Sequence, residues 1–240
     1  MPPVTKHPQR HHMLCSHKKQ FIYFKTKKTA STSVETLFER HCVPDSFGEI
    51  PVGTGELITE VGVIGARRDG QKKDDRFYNH MPAAQVRAAL GDAIFSRYFK
   101  FAVVRNPFDK TVSRFWWLFR NSPDKLASLN AGDFGMVRKL FTDYVRERGR
   151  RLADDRNAYA IEGRSCVDKF ICFERLEPDL AEVCAKLGIH YAEGDLGNYN
   201  RGARRRPEHF SDYYDADTLK IVRSVFAPEI EHFGYECTAS

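Results

Sequence analysis

Three short apolar runs, each passing straight into a helical pattern, constrain this chain most. They are Phe21–Phe24 (FIYF), Phe101–Val104 (FAVV) and Lys169–Phe173 (KFICF). Each is rich in β-forming residues and too short to make a helix. A continuous apolar run, without polar alternation, is what a strand covered on both faces looks like. Helical stripes follow: Val34, Leu37, Phe38 and Cys42; then Val112, Phe115, Trp116 and Phe119; then Leu176, Leu180, Val183, Cys184 and Leu187. Strands alternating with helices imply an α/β fold, a parallel sheet flanked by helices on both faces.

The rest of the chain fits around that frame. Met81–Gly91 reads as a short helix stopped by glycine, and Leu57–Val63 as an edge strand. Residues 121–165 are charged and mainly helical, and a last helix carries Leu219, Val222, Val225 and Phe226. Residues 1–19 read as a disordered polar tail whose His7, His11 and His12 need no metal. No repeat or low-complexity linker interrupts residues 20–238, so one domain is expected there. No apolar run approaches the roughly 18 residues of a membrane span, and the N-terminus lacks a signal-peptide core. The six cysteines form no CxxC pair, which favours a reducing compartment and argues against structural zinc. A cytoplasmic protein is expected.

Function is concentrated where the first run ends. Lys25–Phe38 reads KTKKTASTSVETLF, a turn crowded with lysines and hydroxyls between a strand and a helix. A strand turning directly into a helix aims the helix's N–H groups and positive dipole end at whatever the turn holds. Lys28, Thr29, Ser31, Thr32 and Ser33 add a cation and hydroxyl donors, all suited to phosphate or sulfate. A triphosphate-binding loop needs G-x-x-x-x-G-K-[ST]; here the lysines precede the turn and both glycines are missing. The second run enters Asn106-Pro107, a strong helix start, and brings Arg105 to a strand end with Ser113 about two turns further on.

On these motifs the chain resembles the sulfotransferases that use 3′-phosphoadenosine 5′-phosphosulfate, in particular their bacterial and carbohydrate branch. Their first loop reads P-K-T-G-G-T-S or P-K-T-A-S-T-S. Lys28–Ser33 (KTASTS) is most similar to the loop of heparan sulfate 2-O-sulfotransferases, with Lys27 where the family has proline. The resemblance implies the P-loop-like sulfotransferase fold. It makes Lys28 the lysine facing the bridging oxygen of the phosphosulfate, and Thr29, Ala30, Ser31, Thr32 and Ser33 the cradle of the 5′-phosphate. VVRNPFDKTVSRF matches the family's second motif and assigns Arg105 and Ser113 to the 3′-phosphate. The late basic segment NRGARRR sits where family members close over the donor, which brings in Arg204 and Arg205. A histidine placed like His80 serves as base in related enzymes; His41, Glu56 and Glu60 compete for that role. No metal is implied, and Asp74-Asp75 reads as a solvated loop. The resemblance covers most of residues 20–236 and is weakest at 43–78 and 121–165.

The expected activity is sulfuryl transfer to the hydroxyl of a saccharide or small natural product, leaving adenosine 3′,5′-bisphosphate. A small-molecule kinase is the alternative among enzymes. The net charge of +6 and the run Arg201–Arg206 keep a nucleic-acid-binding module open, although no recognition motif supports it. A relative that binds the nucleotide and transfers nothing is the third alternative. For the acceptor, Arg67, Arg68, Lys72 and Lys73 are positioned to meet an anionic saccharide or to be solvated. Trp116 and Trp117 are candidates to stack on a sugar, at least one of them being core at helical spacing.

Overall fold

A computed structural model describes residues 13–50, 55–66, 74–153, 155–192, 194–196 and 203–238. The tail histidines, Arg67, Arg68, Lys72, Lys73 and Arg201 lie outside the described residues. In chain order the elements begin with β1 (Leu14–Ser16), β2 (Phe21–Phe24), α1 (Ser31–Glu39), β3 (Leu57–Ile58), β4 (Gly62–Ile64), α2 (Ala83–Leu90), α3 (Asp92–Arg97) and β5 (Phe99–Val104). They continue with α4 (Pro107–Trp117), α5 (Pro123–Ala131), α6 (Phe134–Arg148), β6 (Ala160–Ile161), β7 (Arg164–Ser165), β8 (Lys169–Cys172), α7 (Leu176–Leu187), α8 (Ala216–Val225) and α9 (Ala227–Phe233). The chain divides into two compact units, residues 1–104 with 155–200, and residues 105–154 with 201–240.

The first unit is built on a six-stranded sheet in the order β3-β4-β1-β2-β5-β8. The three apolar runs are its parallel half, β2 beside β5 and β5 beside β8. The other half adds an antiparallel part to the expected parallel sheet, since β1 pairs antiparallel with β2 and β4, and β3 with β4. The reason is connection length. Four residues join β1 to β2 and three join β3 to β4, enough for a hairpin and far short of a parallel crossover. Within the 1–19 tail the expectation of disorder is corrected for the described part, because Met13, Leu14, Cys15 and Ser16 are buried and the last three form β1. Gly62 shows how tight that half is. A Cβ there would lie 2.3 Å from the Cys15 carbonyl oxygen.

Both faces of the sheet are covered, as the unbroken apolar runs require. Phe21, Tyr23, Phe101, Val103 and Ile171 meet Val34 and Phe38 of α1 and Leu180, Val183 and Cys184 of α7. Ile22, Phe24 and Ala102 point the other way, to Val86 of α2 and Phe95 of α3. Phe101 is the hub of the first face, with ring centroids 4.8 Å from Phe38 and 5.2 Å from Tyr23. Such aromatic pairs add about 0.5–1.5 kcal/mol each beyond the area they bury.

The second unit is helical. Phe115, Trp116, Phe141, Tyr213, Tyr214 and Val222 form its centre. Two buried polar tips are satisfied inside it, Trp116 Nε1–H donating to Tyr213 Oη at 3.2 Å and Tyr214 O–H to the Phe108 carbonyl at 2.8 Å. Helices α6 and α8 start on side-chain caps: Asp133 accepts from the Met136 N–H, and Asp215 and Thr218 form a reciprocal box. Trp116 is therefore a core residue. Trp117 is partly exposed, with the Arg120 guanidinium 3.3 Å above its ring.

Candidate active site

The turn from β2 into α1 is held from below and from both sides. Lys25 turns inward, its Nζ 2.6 Å from Glu35 Oε2, and both side chains are fully buried. Thr26 donates to the Val103 carbonyl of β5 at 2.5 Å and lies 2.8 Å from the Thr29 hydroxyl. The Lys27 N–H donates to Asp155 Oδ2 at 2.8 Å. Between these anchors Lys28 and Ala30 adopt left-handed backbone, φ 62 and 54. A residue with a Cβ pays roughly 1–2 kcal/mol for that conformation, so packing and anchoring must hold it.

Ala30 occupies the cap position of α1 and has no side-chain oxygen to offer. The Ser33 N–H bonds back to the Ala30 carbonyl at 2.9 Å, but no side chain caps the turn, and Thr29, Ser31, Thr32 and Ser33 crowd it with buried hydroxyls. Lys27 and Lys28 remain partly exposed. Together these give a helix N-terminus with cations and hydroxyl donors around it, the chemistry of an anion cradle.

His80 belongs to the same unit and touches the same turn. Its Nδ1 lies 3.0 Å from the Lys25 carbonyl oxygen. A carbonyl can only accept, so Nδ1 carries the proton and Nε2 the lone pair. Burial, and then the positive charge of Lys25, push the imidazole down from its ordinary 6.5 to about 4. The residue is therefore neutral near pH 7, and its φ of 53 fixes the ring's approach. Of the competing bases, Glu56 Oε2 accepts from the Phe77 N–H at 3.0 Å, Glu60 is exposed, and burial, then the charges of Lys19 and Lys18, push the His41 imidazole down from its ordinary value.

The turn from β5 into α4 uses side chains instead. Asn106 caps α4 by accepting from the Phe108 N–H at 3.0 Å, and Pro107 follows in the first turn. Arg105 donates from Nε at 2.9 Å and from Nη2 at 2.6 Å to the same oxygen, Oδ2 of Asp109. The other oxygen, Oδ1, lies 3.9 Å from Arg204 Nη2. Ser113 is four residues beyond Asp109 and shares its face of α4.

The basic late segment separates into distinct roles. Arg204 reaches Asp109. Arg205 is exposed, and its backbone N–H donates to Asn130 Oδ1 at 2.7 Å. Arg206 donates to the carbonyls of Leu129, Asn130 and Gly132, closing the C-terminal end of α5, and pairs with Glu208 at 2.7 Å. Three residues escaped the sequence reading: Glu35, Asp155 and Asp109. Glu35 and Asp155 are carboxylates in ordinary polar surroundings, and only their burial reveals them. Asp109 had a local signal, an acid one turn after an arginine.

Compared with known proteins, residues 11–236 match the model of the sulfotransferase family. The chain belongs to the sulfotransferase family. This sulfotransferase is accordingly an enzyme of sulfuryl transfer, and its α/β sheet is the one that family expects. A search among curated proteins gave no match. Among the described residues of the sulfotransferase, no helix is long and apolar enough to cross a membrane.

Proposed function

We propose that this sulfotransferase moves a sulfuryl group from 3′-phosphoadenosine 5′-phosphosulfate to a hydroxyl of a saccharide or small natural product. The observation that carries the reading is the Lys25–Ser33 turn, whose left-handed residues, buried hydroxyls and cations suit a phosphosulfate. Within the second unit, the arginine fork at Arg105, with Arg204 beside the same carboxylate, suits a phosphate. Buried Arg204 Nη1 has no hydrogen-bond partner among the described residues, which fits a site completed by an acceptor-rich ligand.

In this reading Lys28 and residues Thr29–Ser33 hold the 5′-phosphosulfate, and Arg105, Ser113, Arg204 and Arg205 serve the 3′-phosphate side. When bound, the donor supplies an activated sulfonate and a nucleotide phosphate as leaving group. Lys28 places positive charge where the departing oxygen becomes negative, an effect worth on the order of a few kcal/mol. His80 Nε2 takes the acceptor's hydroxyl proton, while its Nδ1–H stays on the Lys25 carbonyl. A neutral imidazole is the form that can do this, and burial beside a lysine keeps it so. The six free thiols support a reducing, cytoplasmic setting. The capping role of Arg206 speaks against reading the basic segment as a nucleic-acid surface.

The test is ligand-induced stabilisation followed by turnover. Adenosine 3′,5′-bisphosphate at about 100 times its Kd is expected to add ~2.7 kcal/mol, a rise in Tm of about 5–10 °C for a chain of this size. Lys28→Ala is expected to lower turnover of the phosphosulfate donor on a saccharide and natural-product panel by about 10²–10³-fold. Stabilisation by adenosine triphosphate with magnesium, and none by the bisphosphate, would instead make the protein a kinase.

A further inference from the structure

The Arg105–Asp109–Arg204 cluster has a feature that a surface ion pair lacks. Asp109 is mostly buried, 16% exposed, and divides its two oxygens between two arginines. Oδ2 takes both bonds from the Nε–Nη2 edge of Arg105, at 2.9 and 2.6 Å. Among the described residues Oδ1, which is buried, has no hydrogen-bond partner, and it stands 3.9 Å from Arg204 Nη2. Arg204 Nη1 is buried without a partner among them as well. A buried acceptor and a buried donor, each one bond short and adjacent, form an incomplete polar site.

Two guanidinium groups this close repel each other unless an anion lies between them. Asp109 provides that anion from within the fold, and α4 fixes where it stands. The bond pair to Oδ2 locks the Arg105 fork by one edge, and the rigid plane of the guanidinium then sets the direction of its remaining N–H groups. An arginine held this way loses little rotamer freedom when a ligand arrives, which is how preorganisation raises affinity. The carboxylate also repels an incoming dianion. Two arginines against one carboxylate leave the cluster at a net charge of +1, so attraction remains.

We infer that Asp109 is a positioning residue for recognition of the donor's 3′-phosphate, holding Arg105 and Arg204 together as one preassembled anion cradle. This rests on the donor assignment proposed above and adds a residue which that assignment does not contain. Its signature is selectivity: Asp109 matters to nucleotides that carry a 3′-phosphate and not to those that lack one.

Isothermal titration of the full chain with adenosine 3′,5′-bisphosphate and with adenosine 5′-monophosphate tests this. Asp109→Asn keeps the shape and removes the charge. It is expected to weaken the bisphosphate at least tenfold while changing the monophosphate less than about twofold, and Asp109→Glu is expected to recover part of the loss. Unchanged or tighter bisphosphate binding by Asp109→Asn would overturn the inference, because the carboxylate would then be competing with the phosphate. Equal weakening of both nucleotides would overturn it too, reducing Asp109 to a structural residue. Should Asp109→Asn fail to fold, Arg204→Ala with and without Asp109→Glu carries the same comparison: non-additive losses for the bisphosphate support the cradle, and additive losses overturn it. Arg105→Ala is the separate control. Wild-type bisphosphate affinity in that variant would remove the 3′-phosphate assignment itself, whatever Asp109 does.

Discussion

The turns from β2 into α1 and from β5 into α4 start from parallel neighbours in one sheet and offer an anion different things. In the first, Lys28 and Ala30 pass through left-handed backbone and the helix opens on an alanine with no capping oxygen. In the second, Asn106 occupies the cap position, accepts the Phe108 N–H, and Pro107 needs no partner for a hydrogen it lacks. The first helix start thus has no side-chain cap, and the second has one. What the second turn offers is side chains: Arg105, Arg204 and the carboxylate between them. A strained turn without a side-chain cap costs stability, whereas a capped turn adds stability and presents whatever its neighbours carry.

That contrast can be broken at several strengths. The largest effect is expected beneath the first turn. Lys25→Met leaves the Glu35 carboxylate buried without its cation, and urea unfolding should show a loss of about 3–5 kcal/mol. The double variant Lys25→Met, Glu35→Leu should recover most of it, since apolar replacement of a buried pair is often neutral. A double variant as unstable as the single one would mean the pair does more than neutralise itself.

Next comes the pH response of His80. Its folded value of about 4 lies below the ordinary 6.5, so the unfolded chain binds the proton more readily. Stability should therefore fall as pH drops through the window from about 6.5 to 4, by at most a few kcal/mol, and be unaffected by this group above it. His80→Gln should flatten that segment of a stability–pH curve; an unchanged slope would show that other groups carry it. The smallest effects compare the two helix starts. Asn106→Ala should cost about 1 kcal/mol through the lost cap. Ala30→Gly should gain a few tenths to about 1 kcal/mol by relieving the left-handed strain, set against the extra freedom of glycine in the unfolded chain. Thermal or urea melts of the two variants, moving in opposite directions, would sharpen the comparison; a shared sign would break it.

How legible each part was in the sequence follows the same physical line. β2, β5 and β8 could be read because each is a continuous apolar run with a helix behind it. β1 could not. Three residues, Leu14–Ser16, are too few to display a period, and their burial comes from pairing with β2 and β4. Arg105, Ser113 and Arg204 were singled out by the family resemblance, the first two on the spacing of the second motif and the third on its place in the late basic run. The division of that run could not be read, because a string of arginines does not say which one caps α5. Arg204 reaching Asp109 and Arg206 closing that helix are decided by how the segment lies along α4 and α5. His80 was named from a resemblance, and its tautomer came from the carbonyl of Lys25, 55 residues away.

By itself, the sequence determined the alternating strands and helices, the lysine- and hydroxyl-rich turn before α1 and the capped start of α4. These depend on residues within one or two turns of one another, where hydrophobic period, φ preference and cap chemistry act. The tertiary structure alone decided that Lys25 faces Glu35, that Asp155 takes the Lys27 N–H, and that Asp109 joins two arginines. Charge pairing and desolvation depend on distance in space, and a chain's order does not record that distance.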